Sequence, residues 1–235
     1  MGTVYCRTYK NTEVRTMEMG VLFDWDGVIV DSSSQHERSW ELLAQEEGRN
    51  LPEGHFRKGF GMKNEAIIPD VLGWTEDREE IRRLSLRKEA LYRELLAADR
   101  IQPLPGVAEF VRLLDENGVA YAVGSSTHRE NIEAALEVFE ARPSFPVIVT
   151  GEDVQRGKPD PQVYLLAAER IGRHPSECVV FEDVPAGIRA AHNGGMKAVA
   201  VCTTHPARHL AEAEMVIDNF QTLPVERLRH LLNGE

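Results

Sequence analysis

The chain has 235 residues, of which 42% are hydrophobic and 28% charged, enough for one well-packed core and a smaller accessory domain. A formal net charge of −11 without a Lys/Arg-rich segment argues against binding to nucleic acid or to an anionic membrane surface. No segment approaches the ~18 apolar residues of a membrane span. We therefore expect small molecules as partners, not nucleic acid or membranes, while the oligomeric state stays open.

The N-terminal residues and the cysteines give two further expectations. Residues 1–18 include basic residues but no apolar stretch typical of a targeting signal, so we interpret them as an N-terminal extension. Cys6, Cys178 and Cys202 are odd in number and share no CxxC spacing. Such cysteines favour reduced thiols, no disulfide and a cytoplasmic protein.

Short apolar runs alternate with longer amphipathic segments along most of the chain. The runs that predict β-strands are 20–24, 119–125, 146–150, 178–182, 197–202 and 215–218. Helical patterns lie between most of these runs, which is typical of βα units. The alternation therefore predicts an α/β fold with a parallel sheet that helices cover on both faces.

One segment interrupts this alternation, because residues 32–102 contain no convincing strand. Residues 36–48 and 77–100 instead have the apolar spacing of amphipathic helices. We therefore predict an all-helical insertion at this point. The prolines that follow it suit a linker, and residues 107–118 predict the next helix.

Two acidic residues, Asp24 and Asp26, follow the first predicted strand. Side chains two apart on an extended chain point the same way, and ligands of open α/β sheets bind beyond the carboxyl ends of the strands. Neighbouring carboxylates repel unless a shared proton or a cation relieves them, and Mg²⁺ with its preference for oxygen ligands is the natural choice. The alternative is a pair of solvated acids in a turn with Gly27.

Two other predicted strands also end in polar residues. Ser125 and Ser126 follow the second strand, where their hydroxyls and backbone N–H groups could bind a substrate phosphate. A serine that caps the next helix would use the same geometry, so this alternative stays open. The pair Glu182–Asp183 follows four consecutive apolar residues, which is unusual for acids that are merely solvated.

Two later loops carry further candidate residues. Lys158 precedes Asp160 and Pro161, which we predict as the N-cap and first residue of a helix, so that the lysine is held at a helix entrance. His205 and His209 are four residues apart and could bind a metal, but the proline between them favours the start of a helix.

In chain order, these stretches resemble the four motifs of the haloacid dehalogenase (HAD) superfamily. The sequence "DWDGV" from Asp24 is similar to the first motif, Ser125 to the second, Lys158 to the third and "ED" at 182–183 to the fourth. The helical segment that follows the first motif looks like the cap of the subgroup that contains β-phosphoglucomutase and small-molecule phosphatases.

The resemblance implies a Rossmann-like parallel-sheet core and an inserted four-helix cap. The core would consist of residues 19–33 and 103–235, and the cap of residues 34–102. Linkers near 32–34 and 102–106 would let the cap open for substrate and close for chemistry.

The resemblance also implies roles in phosphoryl transfer. Asp24 would attack phosphorus and carry an aspartyl-phosphate, while Asp26 would act as general acid and base. Ser125 and Lys158 would hold the phosphoryl oxygens.

The implied cofactor is Mg²⁺. The Asp24 carboxylate, the Asp26 backbone carbonyl and Asp183 would bind it, with Glu182 beside it to assist or to orient a water.

Substrate choice is expected in the cap. His36 occupies a position where the related mutases and many phosphatases have a histidine near the active site, and Lys88 resembles a cap lysine that reaches the substrate. Lys63 lies in "KGFGMKNEAI", the expected specificity loop. The alternatives are a histidine on a helix face and solvated lysines. No arginine is in register with the one by which the mutase grips a second phosphate, and a lysine does not reproduce a bidentate grip.

Three functions follow from these observations. The first is a Mg²⁺-dependent phosphatase for small phosphomonoesters such as sugar or polyol phosphates, and the absence of the cap arginine favours it. The second is a phosphosugar mutase of the β-phosphoglucomutase type. The third is a catalytically silent binding protein on the same scaffold. Such a protein would be free to lose any of four residues that this chain retains: Asp24, Asp26, Lys158 and Asp183.

Overall fold

The computed structural model describes residues 18–59, 62–140 and 142–234. Its strands are β1 (Gly20–Phe23), β2 (Ala120–Gly124), β3 (Ile148–Val149), β4 (Cys178–Glu182), β5 (Lys197–Val201) and β6 (Met215–Ile217). They form one parallel sheet in the order β3-β2-β1-β4-β5-β6. Each strand lies within the apolar run that predicted it, so the predicted α/β fold with a parallel sheet is confirmed.

Strand β1 lies in the middle of the sheet. Its Val21 is opposite Tyr121 of β2 on one side and Val179 of β4 on the other. All four residues of β1 are buried. Because parallel strands end at the same edge, Asp24 leaves β1 in the centre of the carboxyl edge, where its N–H donates to the Phe181 carbonyl at 3.0 Å.

Helices cover both faces of the sheet. They are α5 (Val107–Glu116), α6 (Arg129–Val138), α7 (Gln162–Arg170), α8 (Pro185–Asn193) and α9 (Val225–Asn233), numbered after the four helices of the insertion. On one face Phe23, Phe110, Phe181 and Phe220 form an aromatic cluster with ring centroids 5.0 to 6.2 Å apart. On the other face Tyr164 packs among smaller aliphatic side chains.

The insertion between β1 and β2 is helical, as predicted. It comprises α1 (Ser33–Glu47), α2 (His55–Gly59), α3 (Asn64–Ala66) with a π-helical turn (Ile67–Val71), and α4 (Arg78–Asp99). Helices α1 and α4 and the π-helical turn share an apolar cluster, which includes Trp40, Leu43, Ile68, Ile81 and Leu84. At the C-terminal end of α4, Tyr92 and Leu96 pack into the cluster of the sheet domain instead, and the limits 34–102 of a cap domain stay a proposal.

Two local details differ from the sequence-based expectation. Helix α7 begins at Gln162, one residue later than predicted, although the Asp160 carboxylate accepts the Gln162 N–H at 3.1 Å as an N-cap side chain does. Instead of starting a longer helix, the chain after His205 forms one 3₁₀ turn, Ala207–His209. That turn ends at Leu210, which is fully buried.

Several expectations concern the chain ends and the thiols. The proposed N-terminal extension, apart from Glu18, and Cys6 lie outside the described residues. Cys178 is buried and Cys202 half-buried, and both are free thiols. Within the described ranges, no helix combines the length and the apolar character that crossing a membrane requires.

Candidate active site

The motif residues meet at the carboxyl edge of the sheet. Asp24 follows β1, Ser125 follows β2 and Asp183 follows β4, while Lys158 comes from the loop before α7. A cavity of about 340 Å³ lies at this edge and has further walls from the helical insertion. Its volume suits a small ligand.

Three acids form the centre of the site. Asp24, Glu182 and Asp183 are buried, and each offers a carboxylate oxygen within 4.8 Å of the other two. The pKa of Asp24 is raised from the ordinary 3.8 to about 7. Burial is the main cause and Glu182 adds to it, while Lys158 acts in the opposite direction. Burial, with Glu182 and Asp24, also raises the pKa of Asp183 well above its ordinary value. Three acids held this closely favour a bound cation.

Lys158 neutralises part of this charge. Its ammonium nitrogen lies 2.8 Å from Asp24 Oδ1 and 2.6 Å from Glu182 Oε1. Burial by itself lowers the pKa of Lys158, but the two carboxylates raise it above the ordinary value. Glu182 Oε1 also accepts from Tyr164 Oη at 2.6 Å, and Oε2 accepts the next two backbone N–H groups at 3.0 and 3.2 Å. Both Glu182 oxygens are therefore engaged, and this carboxylate orients the lysine.

Asp183 has one oxygen to spare. Its Oδ2 accepts a hydrogen bond from Thr204 Oγ1, whereas its Oδ1 is buried and has no hydrogen-bond partner among the residues that the structure describes. Leaving a buried polar atom unpaired costs about 1–3 kcal/mol, and more for a charged group. The open oxygen beside the Asp24 carboxylate is the donor type that Mg²⁺ prefers. The residues present therefore fit the predicted Mg²⁺ site.

Gly27 leaves the space that Asp183 fills. Its φ is +79°, and a Cβ at this position would lie 1.9 Å from Asp183 Oδ2. A side chain here would strain the backbone and displace the carboxylate.

We expect Gly27→Ala to weaken Mg²⁺ binding at least about tenfold, because a displaced ligand loses its geometry. Isothermal titration calorimetry would measure the affinity, and circular dichroism would confirm folding. Gly48→Ala is the matched control, since Gly48 also has a positive φ of 61° but nothing within 4 Å of its Cβ position. Equal Mg²⁺ affinities in the two variants would contradict the prediction.

Asp26 has a separate set of partners. Its Oδ1 accepts from Ser32 Oγ at 2.5 Å and from Tyr92 Oη at 3.2 Å, and lies 3.2 Å from His36 Nε2. Burial by itself raises the pKa of Asp26, but these contacts, with His36 the strongest, lower it below the ordinary value. Lys88 Nζ lies 2.7 Å from His36 Nδ1. The structure thus brings the two predicted cap residues to the acid, together with Ser32 and Tyr92, which sequence reasoning missed.

Comparison with known proteins gives the family. The family model described as "Hydrolase: haloacid dehalogenase-like hydrolase" matches residues 19–195. The chain belongs to this family. The resemblance inferred from the four motifs is therefore confirmed, as is the prediction of an enzyme of the HAD phosphatase class, since curated relatives are named phosphatases.

Two relatives and one solved structure illustrate the similarity. The chloroplastic 5-amino-6-(5-phospho-D-ribitylamino)uracil phosphatase of Arabidopsis thaliana is 39% identical over 92% of this chain, which spans 58% of that protein. The validoxylamine A 7'-phosphate phosphatase of Streptomyces hygroscopicus subsp. limoneus is 32% identical over 85% of this chain and 92% of that protein. The crystal structure of a HAD hydrolase, family IA, variant 3, from Entamoeba histolytica HM-1:IMSS shares the fold, with a TM-score of 0.83 at 24% identity over 92% and 99% of the chains.

The second motif of this HAD-like hydrolase is a loop and not a helix cap. Helix α6 begins at Arg129 with His128 as its N-cap, so the alternative of a capping serine is wrong. Ser125 is buried, and its Oγ accepts the Thr127 N–H at 3.2 Å. Ser126 is half-buried and lines the cavity beside it.

The cap of this HAD-like hydrolase also carries a buried anion that sequence reasoning missed. Glu89 Oε1 accepts from Asn64 Nδ2 at 2.6 Å and from Lys88 Nζ at 3.1 Å, and Oε2 accepts from Asn131 Nδ2 at 2.5 Å. Although burial raises it, the ammonium and the amides lower the pKa of Glu89 to about 2. In the sequence nothing distinguishes it from an ordinary solvated acid on the amphipathic helix α4.

Lys63 contacts the core. Its Nζ donates to the Gly151 carbonyl at 2.6 Å and to the Val154 carbonyl at 3.1 Å. Its aliphatic stem lies over two glycines, Gly151 and Gly157, whose Cβ positions would be 3.5 and 3.7 Å from it. The lysine predicted to contact substrate therefore joins the cap to the loop that leads to Lys158.

Proposed function

We propose that this HAD-like hydrolase is a Mg²⁺-dependent phosphatase that hydrolyses phosphomonoesters of small metabolites through an aspartyl-phosphate on Asp24. One observation carries the proposal: three buried carboxylates meet beside Lys158, and within the described part of the chain Asp183 Oδ1 has no hydrogen-bond partner. The cavity next to this cluster gives an ester access to Asp24. The phosphatase names of the relatives support the same class.

In the proposed mechanism, Asp24 attacks phosphorus as the ester P–O bond breaks, and Asp26 gives a proton to the departing oxygen. The approach of a phosphate dianion raises the pKa of Asp26 and so favours the protonated acid. In the second step Asp26 takes a proton from the water that attacks phosphorus, and the bond between Asp24 and phosphorus breaks.

The remaining motif residues position the phosphoryl group. Ser125, Ser126 and Lys158 would bind its oxygens, with Lys158 held in place by Glu182. The Asp24 carboxylate, the Asp26 backbone carbonyl and Asp183 would hold Mg²⁺, which offsets the charge of the phosphoryl oxygens.

The cavity also supports a proposal for the rest of the substrate. Beyond the catalytic acids its walls include four apolar or aromatic side chains: Trp40, Phe56, Met62 and Ile67. Such a wall suits an ester with an apolar or planar face next to its polyol or sugar phosphate. The substrate in the name of the Arabidopsis relative, a ribityl phosphate attached to a uracil ring, has this form and is the first compound to test.

The mutase is the less favoured function. It must bind a bisphosphate, and its second phosphate needs a cation. Among the described residues, no arginine lines the cavity, and Lys63, Lys88 and Lys158 there already contact protein acceptors or His36. The cavity is therefore better suited to a monophosphate.

Phosphorus NMR distinguishes the two functions. The purified protein with Mg²⁺ would be given 5-amino-6-(5-phospho-D-ribitylamino)uracil, ribitol 5-phosphate, and β-glucose 1-phosphate with a trace of the 1,6-bisphosphate. We expect inorganic phosphate to grow, fastest from the first compound. Conversion of the 1-phosphate to the 6-phosphate without phosphate release would contradict the proposal and establish a mutase.

We expect Lys63→Met to lower kcat/KM about tenfold, because the cap loses two charge-assisted hydrogen bonds to the core. Hydrogen exchange should become faster in residues 151–158. Lys58→Met is the control, since Lys58 is exposed and outside the cavity. Unchanged exchange together with a large rise in KM would mean that Lys63 instead binds the substrate directly.

We also propose a reducing compartment, the cytoplasm, as the location of the protein, because Cys178 and Cys202 are free thiols. Imaging of the tagged protein would test this proposal, with a plastid as the outcome against it.

A further inference from the structure

The carboxylate of Asp183, a ligand of the proposed metal site, has fewer hydrogen-bond donors than that of its neighbour Glu182. It is fully buried and follows β4, and Asp24 and Glu182 repel it from nearby. Among the described residues, the Glu182 carboxylate accepts four hydrogen bonds and the Asp183 carboxylate accepts one, from Thr204. That threonine lies in the loop after β5, the neighbouring strand.

We propose that Thr204 is the positioning residue of the Mg²⁺ site: its hydroxyl holds Asp183 Oδ2 and so leaves Oδ1 as the oxygen that binds the cation. The inference rests on the proposed function, because it assigns a residue to that metal site. The Asp183 carboxylate lies against the Gly27 backbone and accepts from Thr204 through one oxygen, while the other oxygen has no hydrogen-bond partner in residues 18–59, 62–140 and 142–234.

The two oxygens of the Asp183 carboxylate have different partners, and the Thr204 hydroxyl is what distinguishes them. Thr204 therefore orients the carboxylate in addition to packing against it. Without the hydroxyl, both oxygens of a buried carboxylate would lack a side-chain donor, and the group could rotate away from Asp24. Residues that bond to metal ligands in this way typically change metal affinity 10–100-fold when they are removed. Val at position 204 has nearly the same shape as Thr but no hydroxyl, so it removes the hydrogen bond and little else.

The test compares Thr204→Val with Thr204→Ser, which keeps the hydroxyl. Thr203→Val is the matched control from the same loop, since Thr203 is also half-buried. Isothermal titration of the metal-free proteins with MgCl₂ gives the dissociation constants without any turnover. The rise in melting temperature with Mg²⁺ provides a second measurement, because a ligand that binds only the folded protein stabilises it according to its affinity.

We expect Thr204→Val to raise the Mg²⁺ dissociation constant about tenfold or more. Thr204→Ser and Thr203→Val should stay within about twofold of the unmodified protein. Thr204→Val should lower the metal-free melting temperature, because Asp183 Oδ2 loses its donor, and should in addition shrink the rise in melting temperature with Mg²⁺, whereas a purely structural threonine would leave that rise unchanged. If the valine variant folds poorly, Thr204→Ala replaces it in the same comparison.

Three results would overturn the inference. Unchanged Mg²⁺ affinity in Thr204→Val would remove the threonine from the site while leaving the proposed function intact. Equal weakening in the valine and serine variants would show that the hydroxyl is not responsible. Absence of Mg²⁺ binding in the unmodified protein would overturn this inference and the proposed metal site together.

Discussion

Asp24→Asn is expected to lower kcat by at least about 10⁴-fold, because an amide cannot serve as the nucleophile that forms the aspartyl-phosphate. The fold should survive the change. Asparagine removes one charge from a cluster in which burial, with Glu182, already raises the pKa of Asp24 to about 7. We therefore expect the metal-free melting temperature to stay equal to that of the unmodified protein or to rise. Phosphate release and thermal unfolding are the two measurements.

Asp31→Asn is the matched control for this experiment. Asp31 follows in the same segment but is exposed, so its replacement should leave kcat within about twofold. Turnover by Asp24→Asn comparable to that of the control would refute the assignment of the nucleophile.

Glu89→Gln is expected to cause the largest loss of stability, about 3 kcal/mol. Glu89 forms an ion pair with Lys88 at 3.1 Å where the two side chains are 5% and 2% exposed, and removing one partner of a buried pair leaves an uncompensated charge. The two Glu89 oxygens also accept from two different amides, Oε1 from Asn64 and Oε2 from Asn131. A glutamine has only one acceptor oxygen, so one of these hydrogen bonds is lost. For a chain of this length the loss corresponds to a melting temperature lower by about 6–12 °C, which thermal and urea unfolding would measure.

The control for Glu89→Gln is Glu94→Gln on the same helix. Glu94 is 66% exposed in its ion pair with Arg87, and exposed pairs contribute about 0–1 kcal/mol. Equal losses in the two variants would contradict the role of burial.

The stabilisation by Glu89 should depend on pH in a definite direction. Its pKa falls from the ordinary 4.5 to about 2 in the folded protein, so the folded state binds fewer protons than the unfolded state between these values. The contribution is therefore complete above pH 4.5 and is lost as the pH falls toward 2. We expect the difference in unfolding free energy between the unmodified protein and Glu89→Gln to be constant above about pH 5 and to narrow as the pH falls from 4.5 to 3.5. A constant difference would contradict this expectation.

The fold could be predicted because its signals are local. Each strand is an apolar run, as in residues 178–182, and helices α1 and α4 of the cap repeat apolar residues at helical spacing. The acids and Ser125 of the candidate site were found for the same reason, since a polar residue at the end of a buried run marks the ligand-binding edge of a parallel sheet. Tyr92 and Glu89 were missed, because on an amphipathic helix they look like a core aromatic and an ordinary acid.

The sequence by itself determined which residues reach the carboxyl edge, since strand ends and their polar neighbours are properties of adjacent residues. Only the tertiary structure decided which groups those residues contact. In the structure, Glu182 accepts a hydrogen bond from Lys158, and Lys63 donates to backbone carbonyls of the core. One oxygen of Asp183 has no partner among the described residues. The physical reason is that each of these contacts joins residues more than twenty positions apart, and residue spacing carries no information about which distant group supplies a partner.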